Sequence, residues 1–316
     1  MSAVLLALAL ASATPDTGWL AGPDGVRLYY ERVGQGPRTI IVPGRLFLAD
    51  ELRALGRHHT LILYDMRNRG RSSRVKDGRL LTIQKDVEDL EAVRRHFGVE
   101  RFVPVGYSYL GLMVILYAMD HPDRVERLVQ LGPVPRKFGT EYPASLLHRD
   151  AAPVVDSAAA ARVDSLERVG WAREHPQEFC RESRIFAVRL VGDPSKAAGL
   201  MDPCDMPNEW PINLQRHFEH HFAGVQRLDV PKHAVARVGV PVLTIHGTWD
   251  RNSPYAAGRE WALTLPNARL ITVERAGHQV TADAPETVVP AIDEFVAGGW
   301  PRRAEKITSL ERAPSR

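Results

Sequence analysis

Seven short runs rich in β-branched and apolar residues recur along this chain, at 27–33, 39–42, 60–64, 101–105, 127–131, 241–245 and 269–273. Helix-length stretches separate several of them. At 82–97, Ile83, Val87, Leu90, Val93 and Phe97 recur every three to four residues and make one apolar helix face. The stretch 110–120 is apolar nearly all round, as a buried helix is. The stretch 285–297 is amphipathic, with Pro285 suited to a first helical turn. Strands that alternate with helices are joined by crossovers, and crossovers build a mostly parallel sheet covered on both faces. An α/β fold is the expectation.

The alternation stops between about 135 and 237. Helical patterns at 162–173, 176–191 and 211–222 fill this region, with proline-rich turns around 202–211. A structureless loop of such length is uncommon. The region is expected to be a helical cap inserted into a core made of 19–134 and 238–300. The ends are expected to lie outside the core: 1–18 as a signal peptide or disordered N-terminus, and 301–316 as a polar, poorly ordered tail.

Composition narrows the function classes. The 316 residues are 44% hydrophobic and 25% charged, ordinary for a soluble globular protein. A net charge of +3, with no dense basic run, argues against a nucleic-acid partner. The apolar run at 3–11 is too short to span a membrane and no later run is long enough. That run precedes Ala11-Ser12-Ala13, the arrangement of a secretory signal peptide, although no basic residue precedes it. A start codon placed too far downstream accounts for that. Export to the periplasm or medium is the expectation, with a cytoplasmic location as the alternative. Cys180 and Cys204 form no C-x-x-C motif and are expected to be two buried free thiols; a bridge is the alternative in an exported chain.

The chemistry is concentrated at Val105-Gly106-Tyr107-Ser108-Tyr109-Leu110-Gly111, which places Ser108 between a strand-like run and a helix-like run. A serine at a sharp strand-to-helix turn presents its hydroxyl to a cleft. A serine hydroxyl is a weak nucleophile at neutral pH. It needs a base, an acid that orients the base, and donors for the oxyanion that forms. Along the chain Ser108 is followed by Asp250 and then His278, acid before base, each just past a β-rich run. The pattern departs from G-x-S-x-G: Leu110 stands where the second glycine belongs, and Gly111 comes one residue late. Small residues flank such a serine because the turn is tight, so Leu110 implies either widened packing or a distorted turn. An accommodated, active turn is the expectation.

From Gly25 to Val296 the chain resembles the α/β-hydrolase fold superfamily. Besides Ser108, Asp250 and His278, the resemblance rests on Asp65-Met66-Arg67-Asn68-Arg69-Gly70-Arg71-Ser72, His121-Pro122-Asp123-Arg124-Val125, His246-Gly247, and Gly277-His278 with Ala284-Pro285-Glu286. It is most similar to proline iminopeptidase-like and carboxylesterase-like members with a helical cap. It implies a sheet of about eight strands, with Ser108 as nucleophile, His278 as base and Asp250 as its orienting acid. It also implies two oxyanion donors, the N–H groups of Tyr109 and Arg45. The family's His-Gly-x becomes Pro43-Gly44-Arg45 here. The Arg45 side chain is expected either at the pocket rim or in solvent.

No cofactor is expected, since neither G-x-G-x-x-G after the first strand nor G-x-x-x-x-G-K occurs. His217, His220 and His221 are expected to be solvated helix histidines rather than metal ligands. The substrate is expected to be a small ester or amide, with ester cleavage first and removal of N-terminal proline second. A slow or inactive small-molecule-binding protein is the third reading. An aminopeptidase needs carboxylates for the substrate ammonium. Glu178, Glu182, Asp202, Asp205 and Glu209 are candidates, although a charge-rich cap surface is the preferred account of them. Trp210, Phe179, Phe186, Phe218 and Phe222 are expected to be cap core in preference to an acyl pocket.

Overall fold

The structure, a computed structural model, describes residues 15–147 and 155–311. Its strands are β1 (Asp16–Ala21), β2 (Arg27–Val33), β3 (Thr39–Pro43), β4 (Thr60–Tyr64), β5 (Val103–Tyr107), β6 (Leu128–Leu131), β7 (Val242–Gly247) and β8 (Ala268–Val273). They form one sheet in the order β1-β2-β4-β3-β5-β6-β7-β8. The pairings from β4 across to β8 are parallel, while β1 with β2 and β2 with β4 are antiparallel. Every residue of β5, β6 and β7 is buried, as continuous apolar strands covered on both faces should be. This is the α/β-hydrolase architecture.

Helices α1 (Arg45–Leu52), α2 (Ile83–His96) and α3 (Tyr109–Asp120) follow β3, β4 and β5. Between β6 and β7 lie α4 (Ser157–Arg168), α5 (Trp171–Glu174), α6 (Pro176–Ser183), α7 (Pro211–Arg216), α8 (Ala223–Gln226) and α9 (Lys232–Val235). A π-helical turn, His217–Phe222, joins α7 to α8. Helices α10 (Tyr255–Thr264), α11 (Val280–Asp283) and α12 (Pro285–Ala297) complete the fold. The apolar faces of α2, α3 and α10 pack in one core layer, and those of α1, α11 and α12 in a second.

Three expectations need correction. Strand β1 takes up Asp16–Ala21, so the sheet begins inside the segment 1–18. The apolar run 3–11 and its Ala-x-Ala site lie outside the described residues. The tail is docked as far as Glu311: Leu270 and Glu305 exchange backbone hydrogen bonds of 2.9 Å each way, and Ala304 and Ile307 are buried. Its polar look hid these two anchors. Cys180 and Cys204 are joined in a disulfide. They are 24 residues apart in sequence, and the turns that bring them together are invisible in a one-dimensional pattern. Among the described residues, no helix is long and apolar enough to cross a membrane.

Candidate active site

Order along the sheet reverses between β3 and β5, since β4 lies on one side and β6 to β8 on the other. The crevice at the carboxyl ends of strands, at such a reversal, is where open α/β sheets place their ligands. Ser108 stands there. Its φ and ψ are 58° and −126°, a backbone region sparsely used outside glycine. The Ser108 N–H donates to the Leu131 carbonyl at 2.9 Å, and its own carbonyl accepts from Gly111 N–H at 2.9 Å and Val134 N–H at 3.3 Å. These three bonds hold the residue in that conformation.

The local sequence shows why the turn closes. A Cβ on Gly106 would stand 2.2 Å from the Leu110 carbonyl oxygen, so only glycine lets the first turn of α3 cross the strand end. A Cβ on Gly111 would stand 2.9 Å from the Pro133 side chain, so the late glycine seats α3 against the segment after β6. Leu110 itself is 1% exposed. Its side chain reaches the space above Gly44, where a Cβ would lie 2.9 Å from Leu110 Cδ1. Gly44 has φ 83°, so its lack of a side chain serves the backbone and the leucine together. Below the turn, Gln130 Nε2 donates to the Gly111 carbonyl at 2.9 Å, and the Thr244 hydroxyl donates to Gln130 Oε1 at 3.0 Å. Nothing in the sequence pattern pointed to that network.

His278 and Asp250 meet beside Ser108. The His278 Nδ1 is 2.7 Å from Asp250 Oδ2. Asp250 is 2% exposed, and its Oδ1 accepts from the N–H groups of Asn252 at 3.0 Å and Ser253 at 2.8 Å. The second histidine, His246, brings Nε2 within 3.1 Å of Oδ2. Burial alone would push this carboxyl up, but the His278 and His246 neighbours outweigh it and hold the pKa down to about 2. An ionised Asp250 fixes the His278 proton on Nδ1 and leaves Nε2 as the acceptor. The imidazole packs on Tyr107, ring centres 4.8 Å apart. Gly132, with φ 50°, adjoins Leu131, and a Cβ there would lie 3.1 Å from Asp250 Oδ2 and 3.4 Å from His278 Nδ1. The fold thus brings all three expected residues to one crevice. Ser108 Oγ has no hydrogen-bond partner among the described residues.

Two helix starts adjoin Ser108. Tyr109 opens α3 and Arg45 opens α1, and first-turn N–H groups have no intrahelical acceptor. Strands β3 and β5 are neighbours, so both starts lie at the same end of the sheet. The Gly44 N–H is already given to the Tyr64 carbonyl at 2.9 Å. The Arg45 side chain takes neither of its expected places. Its Nε and Nη2 each donate to Asp65 at 3.1 Å, and the guanidinium lies 5.0 Å from the Tyr29 ring centre.

The loop after β4 is a second anchoring centre. Arg67 grips Asp89 through Nε and Nη2 at 2.8 and 2.7 Å. Arg69 grips Glu209, whose Oε1 also accepts the Gly70 N–H at 2.6 Å. Glu209 is therefore a latch between the β6–β7 connection and the core. Among the other candidate carboxylates, Glu182 pairs with Arg162, Asp202 with Arg184 and Asp205 with Arg181, while Glu178 faces solvent. The aromatic set divides as well: Phe179 is buried, Phe218 is 56% exposed, Phe186 lies under Arg189, and Trp210 donates to the Cys204 carbonyl. Phe222 packs near Tyr109, ring centres 6.4 Å apart.

The histidine expectation is corrected for two residues. His217 and His221 are 4% and 1% exposed, stack with ring centres 4.7 Å apart, and pack against Tyr109. The His221 Nε2 lies 2.6 Å from Asp86 Oδ2. Burial drives the His217 pKa down to about 2, with the Arg69 charge adding to it. Among the described residues, no group of three or more His, Cys, Asp or Glu side chains is placed to hold a metal ion. One further residue escaped the sequence reading. Asp283 Oδ2 accepts the N–H of Gly277, next to His278, at 2.7 Å and that of Gly192 at 2.8 Å. It ties the histidine loop to the β6–β7 connection.

The profile of the alpha/beta hydrolase fold matches residues 46–285. A putative carbamate hydrolase of Caulobacter sp. (strain K31) is 25% identical over 85% of this chain and 96% of its own length. A probable proline iminopeptidase of Streptomyces coelicolor is 25% identical over 90% of this chain and 96% of its own. Among solved structures, a thermophilic esterase from Thermogutta terrifontis superposes with a TM-score of 0.63 at 21% identity, covering 89% of this chain and 98% of that one.

Proposed function

Since this chain belongs to the alpha/beta hydrolase fold family and is a hydrolase of that fold, we propose that it cleaves a small carboxylic ester through an acyl-enzyme on Ser108. Ser108 Oγ attacks the carbonyl carbon while His278 Nε2 takes its proton. Asp250 stays ionised and steadies the imidazolium. The Tyr109 and Arg45 N–H groups receive the charge that develops on the carbonyl oxygen. Collapse expels the alcohol, which takes the proton from His278. Water then repeats the sequence on the acyl-enzyme and releases the acid. The observation that carries this reading is the strained Ser108 turn beside a His278 whose Nδ1 is bound 2.7 Å from a buried carboxylate.

Removal of N-terminal proline is the second reading, favoured by the iminopeptidase relative. Four of the five carboxylates that could hold a substrate ammonium are already paired with arginine, which ranks it below ester cleavage. In this reading residues 135–237 act as a cap over the crevice carried by 19–134 and 238–300. The Cys180–Cys204 bridge supports export to an oxidising compartment.

The Ser108→Ala protein is expected to lose hydrolysis of p-nitrophenyl butyrate by at least about 10³-fold while keeping the wild-type melting curve. Unchanged turnover would sink the assignment. Prolyl-naphthylamide cleavage exceeding ester cleavage would reverse the ranking, and a folded wild-type protein that a fluorophosphonate fails to label would point to a binding protein.

A further inference from the structure

Beside the triad, on the Asp250 side, a cavity of about 740 Å³ is walled by Pro135, Phe138, Tyr142, Leu147, Arg251 and Asn252. Arg251 directly follows Asp250. Its Nε and Nη2 are shielded from solvent and have no hydrogen-bond partner, though the residue as a whole is partly exposed. Elsewhere in this protein that same edge of the guanidinium is what grips carboxylates. Arg45 holds Asp65, Arg67 holds Asp89, Arg69 holds Glu209, Arg94 holds Glu91 and Arg162 holds Glu182, each through Nε and Nη2. Among the described residues, Arg251 is the arginine whose Nε and Nη2 are both buried and unpaired.

Among the described residues, no carboxylate pairs with Arg251. Asp250 is engaged with two histidines and two backbone N–H groups. Glu141 also lines the cavity but stands exposed and forms no ion pair among the described residues. Burial of part of the guanidinium disfavours its charged form, and a second cation, the exposed Arg189, adds to that. Arg189 directly precedes Leu190, whose carbonyl accepts the N–H of Gln279, the neighbour of His278. Among the described residues, neither Arg251 nor Arg189 forms an ion pair with a carboxylate. Donors shielded from water and left unpaired are costly, and a planar fork with two parallel donors matches a carboxylate.

Resting on the serine-hydrolase reading, we infer that Arg251 is a specificity residue: its Nε and Nη2 bind a free carboxylate on the substrate, so that the preferred esters are half-esters of short dicarboxylic acids. The scissile carbonyl sits at Ser108 and the free carboxylate in the Arg251 cavity. Phe138, Leu147 and Tyr142 give the cavity an apolar wall.

The test compares mono-p-nitrophenyl glutarate with p-nitrophenyl butyrate, on wild-type protein and on Arg251→Gln. Wild type is expected to favour the acid-bearing ester in kcat/KM. The ratio of the two esters should fall about ten- to a hundred-fold in Arg251→Gln. The variant should keep the wild-type melting curve, since Nε and Nη2 of Arg251 make no hydrogen bond in the fold. A ratio equal in the two proteins would overturn the subsite. If wild type cleaves neither ester, the serine-hydrolase reading fails by itself, and calorimetric titration with glutarate then decides the subsite. Saturable binding lost in Arg251→Gln upholds it; no binding by wild type overturns it.

Discussion

Leu110 and Gly44 meet across the serine turn, the leucine methyl occupying the room that the glycine leaves. Leu110→Ala should destabilise by about 2–5 kcal/mol through the cavity it opens. Gly44→Ala should also destabilise, by about 1–2 kcal/mol for the left-handed backbone plus the clash with Leu110 Cδ1. Combined, the clash disappears while the backbone term remains. The double variant should therefore lose less than the sum of the singles, by about 0.5–3 kcal/mol. Urea unfolding of the four proteins checks this, and strict additivity would show that the two side chains do not compete for space. Residue by residue, the placement of Ser108, Asp250 and His278 was legible because each stands just past a strand in a fixed order. Gly44 was legible as part of a motif, but its service to Leu110 was not. That contact joins the start of α1 to the start of α3 and leaves no periodic trace.

At the scale of elements, the π-helical turn after α7 carries two histidines to the same buried face. The unfolded chain binds a proton on His217 near the ordinary pKa of about 6.5, whereas burial lowers it to about 2 in the fold. The stability that neutral His217 contributes is thus complete above about pH 6.5 and is lost progressively as pH falls toward 2. Between pH 6.5 and 5.0 the loss from this residue should be about 2 kcal/mol. In His217→Phe that part of the pH dependence should vanish, measured as the difference between wild-type and variant unfolding energies at the two pH values. Equal slopes would refute the burial account. The sequence showed helical spacing here and a polar composition, from which solvated histidines follow. The Tyr109 ring and the Asp86 carboxylate that receive them come from α3 and α2, more than 100 residues earlier in the chain.

Across the whole molecule, the C-terminal segment works as a strap. Ile307 is buried, Glu305 pairs with Leu270 of β8, and Arg259 of α10 donates to the carbonyls of Ser309, Leu310 and Glu311 at 2.9, 2.7 and 2.9 Å. A chain ending at Trp300 should lose about 2 kcal/mol of stability, from the missing Ile307 burial and the stranded Arg259 donors. Denaturant unfolding of that shortened protein against the full chain checks it, and equal midpoints would mean the strap is idle. The alternation of strands and helices is a local property of the chain, since each element declares itself by its own period, so the α/β class and the candidate catalytic residues followed from the sequence alone. Three features depended on tertiary structure: the Cys180–Cys204 bridge, the arginine–carboxylate latches, and the unanswered charge of Arg251 beside Asp250. Pairing, or the lack of it, is a relation between residues distant in sequence, and only the packed chain brings one charge to another or leaves it alone.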